Sequence, residues 1–197
     1  MKNRIGILII ILIFGTCGLF FYMNKSSDDM DVAFTVKNNT KEKIETVGIA
    51  AGEKIVLNKT NGEYFCFPKE IVKNDKNIVV FAVLSDGEIA KSGEVSVKDG
   101  QEILIRTIEE NHLSLDVDTK KQDIKIDIPK LDKWKVETNK NYINGQYRAD
   151  TDMTYRLFLL GKGGKLGISD EGKKDVVVNA SWEKPKEKVI SWLVFTK

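Results

Sequence analysis

Hydrophobic and polar positions change their rhythm along this chain. Residues 5–23 (IGILIIILIFGTCGLFFYM) carry no charge, and as a helix they would reach roughly 28 Å, close to the hydrocarbon thickness of a bilayer. Residues 24–31 are a polar spacer. From residue 32 apolar side chains recur at alternate positions: Val32, Phe34 and Val36; Leu113, Leu115 and Val117; Ile124, Ile126 and Ile128. A period of two puts one face of a strand in a core and the other in water. Residues 77–84 (NIVVFAVL) and 175–178 (DVVV) are apolar on consecutive positions, which predicts central strands covered on both faces. Residues 189–195 (VISWLVF) predict a last strand, and residues 68–75 one short helical turn.

Four dipeptides, Asn61-Gly62, Asp86-Gly87, Asp99-Gly100 and Asn144-Gly145, lie near these runs. Each suits a tight hairpin, whose central residues take positive φ. The expected fold is therefore all-β. A transmembrane anchor with its cytoplasmic tip occupies residues 1–23 and the spacer residues 24–31. An antiparallel immunoglobulin-like β-sandwich of seven or eight strands follows over residues 32–128, then a second, smaller β-rich domain over residues 129–197. Pro129 marks the change, and Trp134, Trp182 and Trp192 all follow it. About seventy residues without a disulfide make a marginal domain, so the second is expected to pack on the first.

Lys2 and Arg4 precede the apolar run, while Asp28, Asp29 and Asp31 follow it. The positive side stays in the cytoplasm, which places residues 24–197 outside the membrane. Residues 14–17 (FGTC) resemble a bacterial lipobox, which implies lipidation at Cys17 as an alternative anchor. Cleavage at Thr16-Cys17-Gly18 is a third route. The length of the run favours a retained span, because a cleaved signal has an apolar core of only about 7 to 15 residues.

The formal net charge is +2, with 27 lysines against 4 arginines. The lysine, isoleucine and asparagine bias suggests an AT-rich bacterial genome. So few arginines argue against nucleic-acid reading, where the bidentate guanidinium is favoured. The charge is unevenly placed: residues 24–127 carry a net −5 and residues 128–197 a net +5. The basic segment suits an anionic envelope surface, such as lipid headgroups or wall polymer. Within it, Lys133, Trp134, Lys135, Lys140, Tyr142, Tyr147, Arg148, Tyr155 and Arg156 combine cations with amphipathic rings. Such rings serve equally as the core of a small domain.

Cys66 is the one cysteine after the apolar run and His112 the one histidine in the chain. No internal disulfide can form outside the membrane, and His-rich metal sites are excluded. Cys66 with His112 is the one possible nucleophile and base, though a thiol among aromatics (YFCFP, residues 64–68) is expected to be inert. The reading is accordingly a binding or assembly protein with an envelope protein or anionic polymer as partner; the exported Cys66 enzyme and the Cys17 lipoprotein are the alternatives. Asp116, Asp118, Asp123 and Asp127 are a weak calcium candidate, with no calcium-loop spacing. Residues 167–174 (GISDEGKK) nearly spell a phosphate loop, but a strand follows where a helix must hold the phosphates. No cofactor is expected.

Overall fold

A computed structural model describes residues 32–60, 63–72, 77–120, 126, 129–138, 141–160, 166–183 and 190–196. The apolar run with Cys17, the Asn61-Gly62 pair, Asp123, Asp127 and Lys140 lie outside these residues. Among the described residues no helix is long and apolar enough to cross a membrane.

The fold is all-β and consistent with a sandwich. Its strands are β1 (Val32–Asn38), β2 (Ile44–Ala51), β3 (Lys54–Thr60), β4 (Tyr64–Pro68), β5 (Asn77–Leu84), β6 (Ile89–Ser96), β7 (Gln101–Glu109), β8 (His112–Leu115), β9 (Lys135–Thr138), β10 (Tyr142–Arg148), β11 (Thr154–Leu160), β12 (Leu166–Ile168), β13 (Val177–Glu183) and β14 (Ile190–Thr196). One helical turn, α1 (Lys69–Val72), follows Pro68. Eleven strands form one sheet in the order β12-β11-β14-β3-β2-β5-β6-β8-β7-β1-β4, and three form a second in the order β13-β10-β9.

The large sheet curls so that β4, β1, β7 and β8 cover one face of its own middle strands. Phe34, Val36, Phe67, Ile103 and Ile105 thereby share one core with Val47, Val56, Val80 and Trp192. The Trp192 indole N–H ties the two layers by donating to the Cys66 carbonyl at 2.7 Å. The other face of the same middle strands carries a second core, in which Ile55, Leu57, Phe81, Leu193 and Phe195 meet Trp134, Ile143, Tyr147, Leu157 and Val178. The consecutive apolar residues of β5 and β14 follow from this double cover, since odd and even positions enter different cores.

β14 runs antiparallel between β11 and β3, in register with β3 over seven residues from Ile190↔Thr60 to Thr196↔Lys54. The end of the basic segment is thus a central strand of the first sheet. Two neighbouring pairs, β1 with β7 and β6 with β8, run parallel, which departs from a wholly antiparallel sandwich. The Asp86-Gly87 pair closes the β5–β6 hairpin as expected: Gly87 has φ +89° and its N–H donates to the Leu84 carbonyl at 3.0 Å. Asp99-Gly100 instead ends the connection from β6 to β7, which are not neighbours in the sheet.

Two local expectations are corrected. Asn144-Gly145 is no hairpin turn, because it lies in the middle of β10. A Cβ on Gly145 would stand 2.6 Å from Leu157 Cδ2, so here glycine admits close packing on β11, and the local turn preference loses to it. The run 175–178 is no central strand. Asp175 turns the chain at φ +64°, and β13 is an edge strand whose Val177 is 44% exposed.

Candidate functional site

The small sheet β13-β10-β9 packs one face on the second core and leaves the other unpartnered among the described residues. β10 sets the alternation: Ile143 and Tyr147 point inward and are fully buried, while Tyr142, Asn144, Gln146 and Arg148 point outward. Its neighbours extend two outward rows. In one, Gln146 lies between Asn179 of β13 and Lys135 of β9; in the other, Asn144 lies between Ser181 and Glu137. Successive rows are about 7 Å apart, and the sheet is about 10 Å wide.

Both rows are held by hydrogen bonds. Gln146 Nε2 donates to Asn179 Oδ1 at 3.0 Å, and Ser181 Oγ donates to Asn144 Oδ1 at 2.7 Å. These side chains wall a shallow groove of about 310 Å³ floored by Gly145 and Ala180. Lys135 and Glu137 add one charge of each sign. At the ends of β10 stand Tyr142, 46% exposed, and Arg148, whose guanidinium contacts the Asp175 carboxylate at 2.9 Å.

The expected basic and aromatic residues divide between this surface and the core beneath it. Lys135, Tyr142 and Arg148 belong to the outer face, and Lys133 is exposed in the turn before β9. Trp134, Tyr147 and Tyr155 take the core role instead. Tyr147 packs edge-on to Tyr155 and Phe195, at centroid distances of 5.2 and 5.6 Å, and its hydroxyl donates to the Lys130 carbonyl at 3.1 Å. Burial, with Tyr155 and Asp132 nearby, holds the Tyr147 phenol well above the ordinary tyrosine pKa. The Tyr155 hydroxyl donates to the Val176 carbonyl and accepts from the Ala149 N–H at 3.3 Å, pinning the turn that leads into β13. Trp134 is 3% exposed, and the Lys59 ammonium stands 5.7 Å from its ring centroid. Arg156, on β11, contacts Glu171 at 3.4 Å. Lys174 lies 3.5 Å from Asp150 and 3.9 Å from Asp152. The basic segment thus sets acids beside its arginines and Lys174, so its net positive charge rests on its other lysines and not on these groups.

The other candidates are not brought together. Cys66 on β4 pairs with Thr35 of β1, and Thr35 with Glu102 of β7, whereas His112 pairs with Glu109 seven residues further along β7. Three strand spacings and seven residues separate thiol from imidazole by roughly 25 Å. Cys66 is 2% exposed. Asp116 accepts the Leu104 N–H at 2.7 Å, and Asp118 is exposed. Among the described residues no three His, Cys, Asp or Glu side chains converge on a metal position.

Asn144, Gln146, Asn179, Ser181 and Glu137 were not among the expected site residues. Their signal in the sequence was the alternation of residues 142–148 (YINGQYR), hidden by the hairpin-like Asn-Gly pair. No known protein family, curated protein or solved structure matches this chain.

Proposed function

We propose that the protein is a single-pass, N-in membrane protein whose extracytoplasmic portion, an immunoglobulin-like sandwich with a second β layer, binds a cell-envelope component and performs no catalysis. The uncharged residues 5–23 and the preceding Lys2 and Arg4 support the anchor and its direction. One structural observation carries the binding role: the outer face of β13-β10-β9 is polar, held by its own hydrogen bonds, and backed by a fully packed core. A rigid sheet face of this kind offers recognition groups at little ordering cost.

The test is site-specific photo-crosslinking in the full-length chain, in its own membranes, with the photo-reactive residue at Gln146 or, as control, at Glu88 in the β5–β6 turn. An envelope component captured from position 146 and not from 88 supports the reading. The same captured set from both positions, or nothing from 146, refutes it.

A further inference from the structure

The donors and acceptors of the small sheet's outer face define a ligand class. Each carboxamide has one carbonyl acceptor and two N–H donors. In the first row the single Gln146–Asn179 bond leaves a Gln146 carbonyl beside the Asn179 N–H groups; reversing both amides leaves the same pair of functions exchanged. In the second row the Ser181–Asn144 bond leaves the Asn144 N–H groups and the Ser181 oxygen lone pairs. Each row therefore presents a donor next to an acceptor, and the two rows lie about 7 Å apart along β10.

Charge narrows the choice. Lys135 and Glu137, two residues apart on β9, put one charge of each sign along the same side of the groove, and Arg148 is paired at 2.9 Å with Asp175. A polyanion gains little from such a face. An apolar peptide would leave the carboxamides buried without partners, which disfavours it. An uncharged polymer bearing many groups that both donate and accept matches it. Tyr142, two residues beyond Asn144 on the same face, adds a partly exposed ring against which the C–H face of a sugar can lie.

Resting on the envelope-binding reading above, we infer that the β13-β10-β9 face is a binding site for an uncharged glycan strand of N-acetylated sugars. The acetamido group is itself a planar amide, with one donor and one acceptor, and so complements a carboxamide in both functions. The hydroxyls along the strand serve the Ser181 and Asn144 row. Lys135 and Glu137 lie at the rim and set orientation.

The experiment uses the full-length chain in detergent micelles, with chitin beads as the N-acetylated glycan, cellulose beads as the same backbone without acetamido groups, and immobilised dextran sulfate as the polyanion. The proposal expects retention on chitin that survives high salt, exceeds retention on cellulose, and falls roughly tenfold or more in the N144A/N179A double variant. Both replaced residues are outward-facing and their bonds are exposed, so the variant's melting temperature is expected to fall only slightly and reports on folding separately. Equal retention on chitin and cellulose, or chitin retention unaffected by N144A/N179A, overturns the glycan site. Salt-sensitive retention on dextran sulfate alone overturns it while leaving the envelope-binding reading standing, as does capture of a protein from position 146. Failure on all three beads together with no capture from position 146 removes both.

Discussion

β14 supplies adjacent side chains to both cores, so replacing neighbours on it separates one cooperative unit from two. Trp192 is fully buried in the first core and Leu193 fully buried in the second. Trp192→Ala removes a large ring and the 2.7 Å bond to the Cys66 carbonyl and leaves a cavity; its expected cost is about 3–5 kcal/mol. Leu193→Ala leaves a smaller void on the opposite face and is expected to cost about 2–5 kcal/mol. For a chain of this length each kcal/mol lowers Tm by about 2–4 °C. Shifts of roughly 6–20 °C for Trp192→Ala and 4–20 °C for Leu193→Ala follow.

Differential scanning calorimetry on the full-length chain in detergent is the assay. Because the middle strands belong to both cores, each variant is expected to move one shared transition. A control, Trp192→Phe, keeps most of the ring volume and loses the indole N–H; it should shift the same transition by less. Stopping the chain after Val189 removes Ile190, Trp192, Leu193 and Phe195, together about 6–12 kcal/mol of side-chain burial. That is comparable to the whole stability of a typical domain, so no cooperative transition is expected from the truncated chain. Two separate transitions, one moved only by Trp192→Ala and the other only by Leu193→Ala, would refute the reasoning. The two cores would then melt as independent units.

Two further outcomes test the packing directly. Gly48 on β2 lies opposite Phe81 on β5, and a Cβ there would fall 2.1–2.7 Å from three atoms of the Phe81 ring. Gly48→Ala is expected to cost about 1–3 kcal/mol by urea denaturation, and combining it with Phe81→Leu should cost less than the sum of the two single changes; additive costs would mean the ring does not depend on the glycine. Tyr147 has its pKa raised by burial, so its contribution to stability is intact below the ordinary tyrosine value near 10 and declines as pH rises from there towards the folded-state pKa. Over that window wild-type stability should fall more steeply with pH than that of Tyr147→Phe, by up to about 1.4 kcal/mol per pH unit, and parallel curves would contradict the assignment.

Much of the strand content was legible because burial on one face or two leaves a period-two or continuous apolar pattern. Residues 77–84 announced a doubly covered strand and residues 189–195 a last strand; β5 is the first of these, and β14 is covered on both faces as well. Local chemistry misled where long-range packing overruled it. Asn144-Gly145 has the composition of a hairpin, yet Leu157 and Leu159 press against the glycine and hold it in a strand. The pairing of β14 with β3 joins residues more than a hundred positions apart. No window of the sequence contains that relation, because register between distant strands is decided by which apolar faces meet.

The expected basic and aromatic residues divide between the outer face and the core, and parity along the strand is the physical reason. Tyr142 and Tyr147 are the same residue on the same strand, yet an odd separation puts one outward and the other under the sheet. A cluster of cations and rings counted along the sequence therefore mixes surface with core. Charge counting is blind to position in a related way: the excess of +5 after residue 127 already includes Asp175, Glu171, Asp150 and Asp152, but not that these acids lie within 4 Å of Arg148, Arg156 and Lys174 and leave the excess on other lysines. What remains on the outer face once Trp134, Tyr147 and Tyr155 are assigned to the core and Arg148 to Asp175 is a set of carboxamides, a hydroxyl, the Tyr142 ring and one charge of each sign. If that face is the binding site proposed above, it selects by hydrogen-bond pattern, so its ligand should be distinguished by shape and uncharged polar groups, and its binding should change little with salt.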